Sequence, residues 1–288
     1  MQDRTQASAF VGRSTELAVF ERAVEDARAG LPSVVLVGGD AGIGKTSLVR
    51  ESATRAGVPL FLGRATHIGG DAIPLAPLRD LVRQLRRTNP DLVSALPLDA
   101  SQAALFGAVL ELIGQLSADQ PVIIGFDDLH WADAVTWDLF EFLARNVIDE
   151  RLVLVGTFRA NEVAADAGQQ ARISELGRLA ATKRIQLDGL ERGDIAGHIE
   201  ALIGTPPTEQ LVEQVATRSG GNPFFTAELV AAHESGDAIP VVLSDLISVE
   251  VAALDDPARQ VLAAASALSR DTTHELLAAI VDVPDLEV

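Results

Sequence analysis

A glycine-rich stretch early in the chain has the residue types and spacing of a phosphate-binding loop. The sequence SVVLVGGDAGIGKTSLVRE runs from an apolar strand through a glycine-rich turn into a helix. Within it Gly39, Gly44, Lys45 and Thr46 fit the pattern G-x-x-x-x-G-K-[ST]. The glycines let backbone N–H groups converge on phosphate oxygens, and the helix adds its positive N-terminal end. The alternative is an ordinary glycine turn, but the chain contains only two lysines, so a chance match would be rare.

The residues of this loop can be given roles at a Mg–nucleotide site. We predict that Lys45 reaches the β- and γ-phosphates as a catalytic residue, and that the Thr46 hydroxyl holds Mg²⁺. The predicted nucleotide-binding residues of the loop are Gly39, Asp40, Ala41, Gly42, Ile43, Gly44, Lys45, Thr46 and Ser47.

A pair of adjacent carboxylates follows a second apolar run. In PVIIGFDDLHWAD, the strand predicted at residues 122–126 is followed by Asp127 and Asp128. A Mg–nucleotide site needs an acidic residue at the carboxyl end of a neighbouring strand. We predict that Asp127 holds the metal through water and that Asp128 polarises or deprotonates the attacking water. Mg²⁺ would also relieve the repulsion between the two carboxylates. Taken alone, the pair could instead only cap a loop.

An arginine follows the next apolar run, in the sequence GTFR. Arg159 would face the same crevice, and its guanidinium is always charged and pairs well with phosphate oxygens. We predict that it contacts the γ-phosphate as a catalytic residue; the alternative is a surface salt bridge.

The histidines lack the spacing of metal ligands, and we expect His130 to support the acidic pair or to pack. We expect Trp131 and Trp137 to pack in the core.

Short apolar runs alternate with amphipathic helical stretches over the first two thirds of the chain. This alternation is typical of an α/β fold in which a parallel sheet is covered by helices on both faces. The predicted strands are residues 33–37, 60–62, 122–126, 152–157 and 184–187. The predicted helices include residues 75–87 and residues 134–146, the second with Asp133 as its N-cap.

The character of the sequence changes after Leu190, where strand-like runs disappear. Helical patterns then follow one another at residues 194–203, 208–219, 224–233, 240–253, 257–268 and 274–281. We therefore predict a second, all-helical part. The chain stops at VDVPDLEV, after a helix without obvious packing partners in the preceding sequence. From this we expect a piece of a longer protein, with a natural end as the alternative.

The composition excludes several classes of protein. With 288 residues, of which 48% are hydrophobic and 22% charged, the chain can bury a large core and is not disordered. Its formal net charge of −18 would repel phosphate backbones and anionic membranes, so we expect neither as a partner of this stretch. The absence of cysteine excludes disulfides and thiolate metal sites. We see no signal peptide and no apolar run of about 18 residues, and expect a cytoplasmic protein.

Five motifs together resemble a known family. The segments FVGRSTEL, GGDAGIGKTSLV, FDDLHWAD, GTFR and SGGNPFFTAEL stand in the order and approximate spacing of STAND-class P-loop ATPases. The sequence is similar above all to the ATPase module of LuxR-type, MalT-like bacterial transcriptional regulators and to its relatives fused to cyclases or kinases. The resemblance extends over residues 9–281, nearly the whole chain.

This resemblance implies a P-loop NTPase sheet of the additional-strand type. The GTFR strand would be inserted between the phosphate-loop strand and the FDD strand. That order would place Arg159 beside Lys45 and Asp127.

The resemblance also implies binding contacts and domains outside the phosphate loop. Val11, Gly12 and Arg13 match the N-terminal h-G-R motif that lies against the adenine, and Pro223 matches the proline that closes over the base. The implied domains are a P-loop ATPase core at residues 1–189, a helical lid at 190–236 and the start of a winged-helix-like domain at 237–288. The expected wing is missing, and DNA binding would belong to a C-terminal domain beyond this sequence.

The function that we expect is an ATP-binding, slowly hydrolysing regulatory switch that uses ATP, ADP and Mg²⁺. The ADP-bound form would be off, and ATP would reorder the lid and permit self-association. One alternative is an AAA+ type motor or loader ATPase acting on DNA, against which the net charge of −18 argues. Another is a nucleotide-binding scaffold that hardly hydrolyses ATP, which the presence of both carboxylates weakens.

Overall fold

The computed structural model describes residues 10–68, 71–94, 96–97, 101–235, 251 and 256–268. The chain divides into two compact units, Met1–Thr226 and Ala227–Val288. The first unit contains a parallel sheet, the helices that cover it and a helical segment after the last strand. In the second unit the described residues are mostly helical and include a helix at Asp256–Leu268.

The first unit is built around a five-stranded parallel sheet. In chain order the strands of this unit are β1 (Ser33–Gly39), β2 (Leu60–Arg64), β3 (His67–Ile68), β4 (Asp71–Ala72), β5 (Val122–Asp127), β6 (Leu152–Phe158) and β7 (Thr182–Leu187). The order in the five-stranded sheet is β2-β5-β6-β1-β7. The five strands predicted from apolar runs are confirmed, with ends that differ by one or two residues. The β3–β4 hairpin was not predicted, because two-residue strands are too short to show an alternating pattern.

The position of β6 decides which residues meet at the carboxyl edge of the sheet. β6 lies between β5 and β1, which confirms the strand order that the resemblance implies. In the register, Gly156 is paired with Leu36 of β1 on one side and with Phe126 of β5 on the other. The phosphate loop, the acidic pair and Arg159 therefore follow the ends of three adjacent strands.

Side chains of the central strands alternate between two hydrophobic clusters, one on each face of the sheet. In β1, Val34 and Leu36 belong to one cluster, whereas Val35 and Val37 belong to the other. Because both faces are buried, nearly every position of such a strand must be apolar, instead of every second one. This double burial explains the continuous apolar runs in the sequence.

Helices cover both faces of the sheet, as the sequence predicts. Helices α1 (Ser14–Arg28) and α2 (Lys45–Ala56) contribute to one cluster. The other cluster is formed with α3 (Ala76–Thr88), α4 (Pro90–Ser94), α5 (Gln102–Leu116), α6 (Ala134–Asn146), α7 (Ala160–Ala165) and α8 (Ala167–Leu176). The predicted N-cap of α6 is confirmed, since the Asp133 carboxylate accepts a hydrogen bond from the Val135 N–H at 3.1 Å.

A run of helices follows β7, as predicted from the change in sequence character. These are α9 (Arg192–Ile203), α10 (Glu209–Ser219) and α11 (Pro223–Ser235). The helix at Asp256–Leu268 confirms the one predicted at 257–268. Three predicted features lie outside the described residues: the helix at 274–281, all but residue 251 of the helix at 240–253, and most of the winged-helix-like domain. Within the described ranges no helix is long and apolar enough to cross a membrane.

Truncating a buried leucine of the central sheet tests how much the double-sided core stabilises the fold. Leu154 of β6 is 0% exposed, so Leu154→Ala should lower the free energy of unfolding by about 2–5 kcal/mol through lost burial and the cavity left behind. The matched control is Leu31→Ala, because Leu31 is 61% exposed and its truncation should cost less than about 0.5 kcal/mol. Urea unfolding followed by circular dichroism measures both variants. Equal losses would contradict the assignment of Leu154 to the core.

Candidate nucleotide site

The phosphate loop, residues 39–46, connects the end of β1 to the start of α2. Gly42 and Gly44 have φ angles of 72° and 101°, which residues with a side chain rarely adopt, so this path requires glycine. A Cβ atom on Gly39 would lie 2.9 Å from the carbonyl oxygen of Leu187 at the end of β7. Among the described residues no side chain caps the N-terminus of α2. Its first N–H groups can therefore serve as donors to an anion.

Lys45 is buried against the loop that contains it. Its ammonium donates hydrogen bonds to the carbonyl oxygens of Gly39 at 2.9 Å and Asp40 at 2.8 Å. Burial lowers the pKa of Lys45 below its usual value, and the negative charge of Asp128 partly opposes that shift. The lysine is thus held at the loop by backbone carbonyls, within electrostatic reach of the acidic pair.

Asp127 is a buried carboxylate with partners from three different elements. It is 1% exposed and accepts a hydrogen bond from the Thr157 hydroxyl at 2.7 Å. The Thr46 hydroxyl lies 3.0 Å from both of its carboxylate oxygens. Arg64 Nη2 lies 3.2 Å from Oδ2 of the same carboxylate. The residue predicted to hold the metal therefore contacts the other predicted metal ligand.

The donor set of Thr46 and Asp127 fits Mg²⁺. Mg²⁺ prefers hard oxygen ligands at about 2.1 Å in octahedral geometry, so that neighbouring ligand oxygens stand about 3 Å apart. The hydroxyl and carboxylate oxygens of these two residues have this separation of 3.0 Å. No group of three or more histidine, cysteine, aspartate or glutamate side chains that could hold a metal by protein ligands alone occurs within the described ranges. The pair would leave most ligand positions to phosphate oxygens and water.

Asp128 lies beside Asp127 but has a different environment. Its backbone is left-handed, with φ of 59°, and its side chain does not cap the short helical turn that follows. Its N–H donates to the Thr157 hydroxyl at 3.0 Å, and its Oδ2 lies 3.4 Å from Arg64 Nε. Burial, followed by the charge of Asp127, raises the pKa of Asp128, which Arg64 partly opposes. A carboxylate with a raised pKa is the better proton acceptor.

Arg159 reaches the edge of the sheet but its side chain is paired with another residue. Its Nη1 lies 2.7 Å from Oε1 of Glu162, and its guanidinium lies 4.8 Å from the centre of the Trp131 ring. Its backbone N–H donates to Nδ1 of His130 at 3.3 Å. The salt bridge considered as an alternative from the sequence is thus present. The prediction that Trp131 packs in the core is wrong, since its half-buried ring contacts Arg159 and His67 and belongs to neither hydrophobic cluster, whereas Trp137 is buried as expected.

The N-terminal motif contacts the phosphate loop through its arginine. Arg13 donates to the carbonyl oxygens of Asp188 at 2.6 Å and Ile43 at 3.4 Å. Its neighbours face α9 instead: a Cβ on Gly197 would lie 3.1 Å from Val11, and a Cβ on Gly12 would collide with the carboxylate of Asp194. The motif therefore packs between the loop and the first helix after the sheet.

Asn222, rather than Pro223, connects the lid to the phosphate loop. The lid is the predicted segment 190–236, of which the structure describes residues 190–235. The Asn222 amide donates to the Ala41 carbonyl at 2.8 Å, and its Oδ1 accepts from the Phe224 N–H at 3.0 Å. Asn222 thus caps α11 and contacts the loop with the same side chain. The Pro223 carbonyl lies 3.3 Å from Nε2 of His198.

Three residues at the site were missed by the sequence analysis. Arg64 lies two residues after the strand predicted at residues 60–62, as Arg159 lies two residues after the one predicted at 152–157, so the argument that selected Arg159 would also have selected Arg64. Thr157 stands within the quoted GTFR motif, but a β-branched residue in a strand carries no sign that its hydroxyl is used. Asn222 precedes a proline as helix N-caps often do, yet its contact with Ala41 joins positions 181 residues apart. No local pattern predicts such a contact.

Comparison with known proteins identifies the class to which this site belongs. The sequence matches the AAA ATPase domain family over residues 9–155, which is more than half of the 288 residues. The chain therefore belongs to the AAA ATPase domain family. The matched region includes the phosphate loop and both aspartates and ends within β6, before Arg159. No curated protein matches the sequence significantly.

Several solved structures resemble this fold. A Walker-type ATPase of Pyrococcus abyssi has a TM-score of 0.64 at 14% identity, over 99% of this chain and 89% of that chain. The Orc1 protein of Aeropyrum pernix, solved in complex with DNA, has a TM-score of 0.51 at 15% identity, over 94% and 77%. The Orc2 protein of the same organism, solved as ADPNP–ADP complexes, has a TM-score of 0.51 at 14% identity, over 94% and 80%. At these identities the similarity shows a common P-loop ATPase fold.

Removing the Thr157 hydroxyl tests whether it positions the acidic pair. Thr157→Val keeps the shape of the side chain but removes the donor to Asp127 and the acceptor for the Asp128 N–H. Supporting contacts of this kind change metal affinity about 10–100-fold, so Mg²⁺-dependent nucleotide binding should weaken at least about tenfold. Nucleotide titrations at several Mg²⁺ concentrations measure the effect.

Thr136→Val is the matched control for this variant. Thr136 is equally buried, and its hydroxyl donates to Asp133 at the start of α6. This variant should lose stability without losing Mg²⁺ dependence. A similar loss of nucleotide affinity in both variants would show that Thr157 contributes only to stability.

Proposed function

We propose that this AAA ATPase domain binds Mg–ATP at the carboxyl edge of its sheet and hydrolyses it slowly. Lys45 would contact the β- and γ-phosphates, and Thr46 and Asp127 would hold Mg²⁺, which supplies positive charge to the phosphates during transfer. The hydrogen bond between Thr46 and the buried carboxylate of Asp127 supports this metal position. Membership of the AAA ATPase domain family supports ATP hydrolysis as the reaction.

We assign the activation of water to Asp128 and recognition of the γ-phosphate to Arg159. The Asp128 carboxylate is near enough to Lys45 to affect its pKa, and so is Arg159. A carboxylate and a guanidinium on adjacent strand ends can face opposite sides of one phosphoryl group. The first would accept a proton from water and the second would neutralise charge that develops on the phosphate. The raised pKa of Asp128 supports its role as a base.

The domain would act as a regulatory switch. The hydrogen bonds that the phosphate loop accepts from the N-terminal motif and from the lid support this proposal. Arg13 donates to the carbonyl of Ile43, and Asn222 donates to the carbonyl of Ala41. The loop that would bind phosphate is thus attached directly to the N-terminal motif and to the lid. A change of loop conformation on exchange of ADP for ATP would reach both segments. Differential contacts to the γ-phosphate supply the free-energy difference that such a shift requires.

The sequence resemblance supports a wider assignment to STAND-class, LuxR-type transcriptional regulators. We propose a core at residues 1–189, a lid at 190–236 and the start of a winged-helix-like domain at 237–288, with ATP-dependent self-association and with DNA binding by a domain beyond this sequence. A motor or loader acting directly on DNA would need a basic surface, which a net charge of −18 opposes. The shared fold with an Orc1 protein solved with DNA does not carry a DNA-binding function to this chain.

The two lysines of the chain provide a matched test of nucleotide binding. Lys45→Ala should weaken binding of Mg–ADP and Mg–ATP at least about 100-fold, because a buried cation facing the phosphates is lost. Lys183→Ala is the control, since Lys183 pairs with Asp26 and Ser33 near the amino ends of β1 and β7. Titration with a fluorescent ADP measures both variants. Unchanged affinity in Lys45→Ala would contradict the assignment of the loop.

Substituting the two adjacent aspartates separately tests their different roles. Asp127→Asn should weaken binding of Mg–ATP and Mg–ADP alike, because it removes a charge from the metal site. Asp128→Asn should keep nucleotide affinity and slow turnover at least about 100-fold. The measurements are ATP and ADP affinity, single-turnover hydrolysis and light-scattering mass with each nucleotide.

The same measurements separate catalysis from switching. With ATP, Asp128→Asn should self-associate more readily than the parent protein, because the ATP-bound state persists. Hydrolysis at the parental rate would refute the role of Asp128. Slow hydrolysis with no change in mass would leave that role intact and refute self-association of this chain.

A further inference from the structure

Glu162 is the immediate partner of the arginine to which we assign recognition of the γ-phosphate. It lies in the first turn of α7, three positions after Arg159, and its Oε1 is 2.7 Å from Arg159 Nη1. The two side chains are 35% and 27% exposed, so water only partly screens the pair. Arg159 is also in contact with the Trp131 ring, at 4.8 Å from guanidinium carbon to ring centre. The guanidinium therefore has a defined resting position at the edge of the site.

His130 contacts the backbone of Arg159 and lies close to Glu162. Its Nδ1 accepts a hydrogen bond from the Arg159 backbone N–H at 3.3 Å, which leaves the ring proton on Nε2. Nε2 is buried without a hydrogen-bond partner among the described residues and lies 3.7 Å from Oε2 of Glu162. Burial and the nearby charge of Arg159 lower the pKa of His130 to about 3, so the ring is neutral at physiological pH. A neutral Nε2–H at 3.7 Å from the Glu162 carboxylate is compatible with the orientation of that carboxylate that pairs with Arg159.

We propose that Glu162 is a positioning residue that lowers the affinity of this domain for ATP relative to ADP. Glu162 holds the Arg159 guanidinium when no γ-phosphate is present, and the γ-phosphate of ATP displaces Glu162 as the partner of Arg159. ADP lacks that phosphate, so the Arg159–Glu162 pair persists in the ADP complex. The exchange of one ion-pair partner thereby distinguishes the two nucleotides.

Competition for a single guanidinium has a definite energetic consequence. Breaking the pair opposes ATP binding and leaves ADP binding unaffected, because only ATP requires Arg159 to move. Ion pairs of this exposure change an equilibrium about two- to fivefold. The proposal rests on the proposed contact between Arg159 and the γ-phosphate, and the experiment below separates failure of that contact from failure of the competition.

The experiment measures the affinities of ADP and of a non-hydrolysable ATP analogue, both with Mg²⁺, for a set of variants of the full chain. Glu162→Gln should strengthen binding of the ATP analogue about two- to fivefold and leave ADP affinity unchanged. Glu175→Gln is the matched control, because Glu175 pairs with Arg145 at 3.2 Å on the helical surface, and it should change neither affinity. Arg159→Gln and the Arg159→Gln/Glu162→Gln double variant complete a double-mutant cycle.

Each outcome of this cycle has a separate meaning. Arg159→Gln should lower the ATP-to-ADP affinity ratio, and Glu162→Gln should have no further effect on that ratio in the Arg159→Gln background. If Arg159→Gln leaves the ratio unchanged, the proposed γ-phosphate contact is wrong. If it lowers the ratio but Glu162→Gln alone does not raise it, only the competition is wrong. If Glu162→Gln raises the ratio equally with and without Arg159, its effect is charge repulsion and the competition is refuted.

The fluorescence of Trp131 reports directly whether Arg159 moves. The chain has two tryptophans, and Trp137→Phe removes the buried one, whose indole N–H has no partner among the described residues. In this background the ATP analogue should change the Trp131 emission, ADP should leave it unchanged, and Arg159→Gln should abolish the response. Equal responses to both nucleotides would overturn the proposal, because Arg159 would then not distinguish them.

Discussion

The buried carboxylate of Asp127 is the constraint on which the arrangement of the site depends. A charge with 1% exposure is costly unless it is paired and hydrogen-bonded. Its partners come from three elements, Thr46 on α2, Thr157 on β6 and Arg64 on β2. Each partner positions its own element against the end of β5. The requirement to stabilise one buried charge therefore aligns the phosphate loop and the carboxyl ends of the neighbouring strands.

The phosphate loop satisfies its own polar groups in a way that connects it to the rest of the first unit. Backbone carbonyls in a tight loop need donors, and here the donors are side chains. Lys45 donates hydrogen bonds to the carbonyl oxygens of Gly39 and Asp40. Asn222 donates to the carbonyl oxygen of Ala41, and Arg13 donates to that of Ile43. The N-terminal motif and the lid are thus attached to the same short segment that would bind phosphate. Loop geometry cannot change without a change in at least one of these attachments.

Much of the fold could be predicted because its signals are local. Strands that are buried on both faces have continuous apolar sequences, and β1, β5 and β6 were predicted from these apolar runs. The cap of α6 follows from Asp133, a single residue that precedes a helical pattern. The β3–β4 hairpin escaped prediction because two residues per strand contain no periodicity. The core assignment of Trp131 failed because composition favours burial of an indole, whereas its contact with the Arg159 guanidinium is known only from the fold.

The sequence by itself determined the chemistry of the phosphate loop, because Gly39, Lys45 and Thr46 lie within eight consecutive positions. The local strand–turn–helix unit is sufficient to position these three residues. It also identified Asp127 and Asp128 from the end of an apolar run. Only the tertiary structure decided which partner each charged side chain takes. Arg159 could pair with a phosphate or with a carboxylate; its salt bridge with Glu162 is a local contact three positions along the chain, but its contact with the Trp131 ring depends on β6 lying beside β5. Arg64 meets the aspartates because β2 pairs with β5 across 63 positions of sequence. A long side chain has several possible partners within reach, and the fold determines which of them is near.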